Sequence, residues 1–151
     1  MSTATTIPKV EDLTLNITDE IHVKATPAVT FEALLEELGP GATGAEDKPL
    51  RLKIEAWPGG RWYRDLGDGN GHLWAHVQAI KRPTLLEFCG PLMMSYAVVS
   101  NVQYRLSEEP GGTLIKFHHF ALGAIPDDYR KGVASGWKSI HERAKQRAER
   151  K

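Results

Sequence analysis

The sequence contains a single cysteine, Cys89, so no disulfide can form within the chain. Cys89 has no C-x-x-C partner, and a buried structural thiol in a reducing compartment is the expectation. No stretch approaches the roughly 20 consecutive apolar residues that span a bilayer, so no membrane association is expected. Met1 to Val10 holds no apolar core of signal-peptide length, and the expected location is cytoplasmic. Neither sign of charge is in excess: Lys and Arg total 19, and Asp and Glu total 19. A general electrostatic grip on nucleic acid is therefore not expected. The sequence also lacks G-x-x-x-x-G-K-S/T, G-x-G-x-x-G before a helix, H-E-x-x-H and G-x-S-x-G. No cofactor, metal ligand or catalytic residue is assigned from it.

What is present is the composition of a globular protein, with 41% hydrophobic and 25% charged residues. A chain of this size buries roughly 70% of its unfolded surface and needs no staple to fold. Residues 1–12 are polar and read as a flexible N-terminal tail, ahead of one domain over 13–151. From Leu13 to Lys24 apolar and polar residues alternate as in a half-buried strand. Asp19 alone breaks the apolar face. Thr26-Pro27 then has the form of an N-cap followed by Pro at the first helical position. Phe31, Leu34, Leu35 and Leu38 make the buried stripe of a helix that Gly39-Pro40-Gly41 ends.

From Leu50 to Leu122 strands and turns repeat. The expected strands are 50–57, 61–66, 71–81, 84–89, 97–107 and 113–122. Gly67-Asp68-Gly69-Asn70-Gly71 is a hairpin turn, without the acidic spacing and terminal glutamate of a calcium loop. Pro126-Asp127-Asp128 opens a last helix, whose packed face is Tyr129, Val133, Gly136, Trp137, Ile140 and Ala144. The order is strand, helix, six-strand antiparallel meander, long helix. Without βαβ alternation the class is α+β. A curled antiparallel sheet should wrap around the C-terminal helix.

That order, with several local motifs, resembles the START-like (SRPBCC) superfamily of helix-grip folds. Within it the likeness is to the domain related to the C-terminal part of the activator of the ninety-kilodalton heat-shock ATPase. The residues carrying it are Ala25-Thr26-Pro27, Phe31-Glu32-Ala33-Leu34, Pro58-Gly59-Gly60-Arg61-Trp62, Gly71 leading a long strand, Arg82-Pro83-Thr84-Leu85-Leu86, and Gly136-Trp137. Many members carry tryptophan after the first helix, where this chain has the Gly/Ala-rich stretch Gly39 to Lys48. The resemblance implies a fold, an internal cavity and a chaperone-associated or stress-response setting. It supplies no shared catalytic motif.

Candidate ligand-binding residues follow from where side chains of the expected strands and helix would point. Trp62 and Trp74, with Trp57, offer aromatic surface for a ring-bearing or acyl ligand, or plain core packing. His72, Trp74 and His76 share one face of an ideal strand, but His72 and His76 lie about 13 Å apart, too far for one metal ion. Of His118 and His119 one at most faces inward. Arg64 follows Trp62 to its face and could pair with a ligand carboxylate. The inward set further includes Leu52, Ile54, Phe88, Val102, Tyr104 and Phe117, with Ser100 and Thr113 as small or polar positions. Gly132 and Gly136 leave room on the last helix, for close helix–sheet approach or for a ligand; Trp137 sits mid-stripe beside them. A cavity of a few hundred Å³ is expected.

Three functions fit. The first is binding of a small apolar or amphipathic molecule without catalysis. The second is an enzyme of cyclase, dehydratase or hydrolase type, acting through His76, His119, Tyr104 or Arg64. The third is a module that docks a chaperone or another protein. Residues 130–151 carry eight Lys or Arg against Glu142 and Glu149, either as a solvated helix face or as a surface for an acidic partner.

Overall fold

The computed structural model describes residues 9–93 and 95–151. One antiparallel sheet of seven strands holds β1 (Thr14–Val23), β2 (Leu52–Ile54), β3 (Arg61–Gly67), β4 (Asn70–Lys81), β5 (Leu85–Gly90), β6 (Val98–Glu109) and β7 (Gly112–Gly123). Helix α1 (Pro27–Leu38) follows β1, and α2 (Asp127–Glu149) ends the chain. The strand order is β1-β7-β6-β5-β4-β3-β2, so β2 to β7 form a meander that β1 joins from the far side. This is the expected α+β helix-grip architecture. Of the expected tail, residues 1–8 lie outside the described residues. Val10–Leu13 make a single 3-10 turn, and Arg130 donates to the carbonyls of Asp12 and Thr14 at 2.7 and 2.6 Å.

The local chemistry explains the boundaries. Thr26 Oγ1 accepts from the Val29 amide and Pro27 stands at the first turn of α1. Asp68 and Gly69 take φ of 54° and 77°, the left-handed conformation the β3–β4 turn requires. The strand expected over 50–57 shrinks to Leu52–Ile54. Arg51 takes φ 58°, which breaks the extended run. Trp57 falls in the bend that follows and is 58% exposed, outside the core.

The core lies between the concave sheet face and the two helices. Phe31, Leu34 and Leu38 of α1 and Val133, Trp137, Ala144 and Ala148 of α2 pack against Leu86, Phe88, Val102, Ile115 and Phe117 of the sheet. Among the described residues no helix is long and apolar enough to cross a membrane.

Candidate functional site

Aromatic rings divide the hollow beneath α2 into two clusters. Trp62 on β3 stacks on Phe88 of β5 at 4.5 Å and meets Trp74 of β4 edge-on at 5.2 Å. The Trp62 indole donates to the Leu38 carbonyl at 2.8 Å, satisfying one of the last carbonyls of α1. On the other side, Phe117 of β7 packs against Tyr104 of β6 at 5.0 Å and Trp137 of α2 at 4.9 Å. Tyr104 and Trp137 thus meet through Phe117.

Two buried polar chains stitch α2 to the sheet. In the first, Trp137 Nε1 donates to His119 Nδ1 at 2.9 Å. That leaves the His119 proton on Nε2, which donates to Ser100 Oγ at 3.0 Å. His119 is fully buried, and burial first, with His118 nearby, lowers its pKa to about 4. In the second, Tyr104 Oη and His141 Nε2 are 3.0 Å apart, and His141 Nδ1 lies 3.0 Å from Asp19 Oδ2. Burial lowers the His141 pKa against the opposing pull of Asp19, and burial raises that of Tyr104. Asp19, the residue that broke the apolar face of β1, is therefore the anchor of this chain.

Beside the aromatic clusters lie two apolar cavities. One, of about 90 Å³ and largely enclosed, is bounded by Leu38, Leu52, Trp62, Trp74, Met93 and Ile140, with Glu37 and Arg143 its only charged lining residues among the described ones. The other, of about 260 Å³ and half-open, runs along α2 past Tyr129, Gly132, Val133, Gly136 and Trp137, and it too is walled by Met93 and Ile140. The enclosed space is smaller than the few hundred Å³ expected, because the aromatic rings occupy most of the hollow. Gly132 and Gly136 settle one open alternative. A Cβ at either position would meet nothing within 4 Å beyond the helix's own turn, so the glycines do not serve close helix–sheet approach.

The expected site residues distribute unevenly. Trp62 and Trp74 line the enclosed cavity, and Gly136 and Trp137 line the half-open one. Ser100, Tyr104, Phe117 and His119 are buried in the two polar chains and the ring cluster between them. Thr113 gives its hydroxyl to the Ala25 carbonyl at 2.8 Å. Arg64 donates from Nε to the Leu50 carbonyl at 3.2 Å, bracing the segment before β2, and lines neither cavity.

His76 does not share a face with Trp74. The β3–β4 register passes from Trp62↔Ala75 to Tyr63↔Leu73, which leaves Trp74 as the extra residue of a bulge. Trp74 turns inward beside Ala75, while His76, between buried Ala75 and Val77, is exposed on the outer face. Cys89, its cross-strand partner, is half-buried there rather than a core thiol.

The sequence reading missed Met93, Glu37, Arg143 and His141. His141 was detectable: Trp137, His141, Ala144 and Ala148 follow i, i+4, i+7, i+11 spacing and are all buried. Glu37 is buried on α1 because two α2 arginines reach it. Arg143 Nε contacts Oε1 at 2.7 Å and Arg147 contacts Oε2 at 2.9 Å.

Solved structures share this fold. A protein from Mesorhizobium loti, MLL2253, superposes with a TM-score of 0.66 at 19% identity, over 90% of this chain and 98% of its own. Ara h 8.0201 gives 0.64 at 17% identity, over 89% and 97%. The di-domain ARO/CYC protein StfQ of the steffimycin biosynthetic pathway gives 0.63 at 13% identity, over 93% of this chain and 51% of its own. Searched against protein-family models and against curated proteins, the sequence matches neither. At 13–19% identity these likenesses extend to the fold, the helix-grip α+β arrangement of a curled antiparallel sheet and a long C-terminal helix.

Proposed function

We propose that this protein binds a small apolar or amphipathic molecule in the cleft between α2, Met93 and the Trp62–Trp74 pair. The observation that carries this reading is that both apolar cavities are walled by Met93 and Ile140, while the glycines of α2 face space that no side chain fills. An unbranched methionine re-packs easily, so displacing it would join the two spaces. Half-open apolar volume with few polar groups suits a ligand better than it suits a finished core.

An enzyme using the same cavity is the second reading, favoured by the fold shared with the ARO/CYC proteins. Against it, both ring nitrogens of His119 and of His141 are engaged within the protein, and Tyr104 is fully buried. None of them is free to exchange a proton with a molecule in the cleft. Docking to a chaperone and a cytoplasmic setting rest on the sequence resemblance and composition alone.

Gly136→Leu tests the reading with effects of opposite sign. Glycine inside a helix costs about 1 kcal/mol, so the substitution should raise stability by about 0.5–1 kcal/mol. Its side chain should fill the half-open cavity and weaken binding of a polarity-sensitive naphthalene probe at least tenfold. Urea denaturation and a fluorescence titration measure the two. Unchanged probe affinity in a stabilised variant would exclude this cleft as the site.

A further inference from the structure

We infer that the molecule held in this cleft carries a carboxylate, and that Arg143 is the residue that receives it. The inference rests on the proposed binding function and specifies its ligand. Gly132, Gly136, Ile140, Arg143 and Arg147 follow one another at spacings of four, four, three and four residues, which places them in one stripe along α2. The stripe changes character along its length. Its first half is the open space over the two glycines, Ile140 walls both cavities, and its end is cationic.

At that end two guanidinium groups meet one carboxylate. Glu37 is 3% exposed and accepts from Arg143 Nε at 2.7 Å and from Arg147 at 2.9 and 3.2 Å. Two positive charges against one leave a net charge of +1 beside an apolar cavity. Arg147 is engaged through both Nε and a terminal nitrogen, the latter also reaching the Gly41 carbonyl at 3.5 Å. Arg143 donates to Glu37 through Nε alone. Among the described residues its two terminal nitrogens have no hydrogen-bond partner, and its side chain is 41% exposed. Among the described residues, Glu37 and Arg143 are the only charged ones lining the enclosed cavity.

Glu37 therefore holds the Arg143 guanidinium through Nε and leaves both terminal nitrogens available to a ligand beside the cavity that Arg143 lines. A planar carboxylate fits that fork, and the remaining positive charge favours an anion over a neutral polar group. The apolar part of the same molecule would lie along Ile140 toward Gly136. Arg143 thereby takes the role that the sequence suggested for Arg64.

Calorimetric titration of the whole protein with 2-naphthylacetic acid and with its methyl ester separates this inference from the reading beneath it. The two probes share the ring and differ in charge. On the unaltered protein the acid should bind about tenfold tighter than the ester, as a partly exposed charge-assisted contact supports. That advantage should shrink as salt rises. Arg143→Gln should weaken the acid about tenfold and leave the ester within about twofold. Arg143→Lys should keep part of the preference, and Lys138→Gln, a cation of α2 lining neither cavity, should change nothing. Equal affinity for acid and ester would overturn the carboxylate assignment and leave apolar binding standing. So would an equal loss of both on Arg143→Gln, which would reveal a packing role. If neither probe binds, the cleft is not a ligand site and both conclusions fall. Should Arg143→Gln fail to fold, the salt dependence of the two probes on the unaltered protein decides the question alone.

Discussion

Replacing Trp137 with Ala should destabilise the fold by about 3–5 kcal/mol, the largest single effect expected in this protein. Trp137 is 1% exposed, and its ring packs on Phe117 at 4.9 Å and lies nearly parallel to His141 at 5.9 Å. Removing it empties the centre of the α2–sheet interface. It also leaves His119 Nδ1 buried without its donor, which adds a desolvation penalty to the lost packing. Trp137→Phe should keep most of the apolar area and cost only about 1–2 kcal/mol, the share of the unpaired ring nitrogen. Urea denaturation of the two variants measures both quantities. A loss under about 1 kcal/mol for Trp137→Ala would mean that α2 does not dock through this residue.

Mild acid should weaken the fold through its buried histidines. In the folded protein His119 stays neutral down to a pKa of about 4, because burial excludes the charged form. In the unfolded chain it titrates near its ordinary value of about 6.5. Between those limits the unfolded state binds a proton that the folded state refuses. The stabilisation is thus complete above about pH 6.5 and falls as pH drops toward 4. From pH 7 to pH 5 the expected loss is about 2 kcal/mol from His119 alone. His141, also lowered by burial, adds in the same direction.

The acidic groups act in a different window. Glu55, held by Arg61 to a pKa of about 2, and Asp65, lowered by Lys53, contribute stability that is lost only below their unfolded values near 4–4.5. Urea denaturation at pH 7 and pH 5 therefore reads the histidines. His119→Gln should flatten that dependence. Equal stability at the two pH values would contradict a neutral, buried His119.

The order of strands and helices was legible because each element carries its own punctuation. Thr26-Pro27 opened α1, Gly67 to Gly71 made the β3–β4 turn, and period-two alternation marked β1, β6 and β7. The candidate site was legible only in part. Alternation assumes an unbroken strand, and the bulge at Trp74 turns that residue to the inner face while leaving His76 outside. Ser100 and Tyr104 face inward as alternation along β6 implies, and of His118 and His119 the inward residue is His119. The pairs of the two polar chains, from Trp137–His119 to His141–Asp19, are 18 to 122 residues apart in sequence, and no local pattern announces them. Glu37 looked like an ordinary helix carboxylate until α2 brought Arg143 and Arg147 across it. Met93 lies between β5 and β6, outside any periodic pattern that would have pointed to it.

Methyl NMR of protein labelled at its methionines, titrated with 2-naphthylacetic acid, tests the ligand cleft most directly. Met93 walls both cavities and is 43% exposed, so its methyl group reports on what enters between them. With the signal assigned by Met93→Leu, the account predicts a saturable shift of the Met93 methyl, with the same midpoint as the calorimetric titration. A Met93 signal that stays in place while the probe saturates the protein would put the ligand elsewhere and contradict the account.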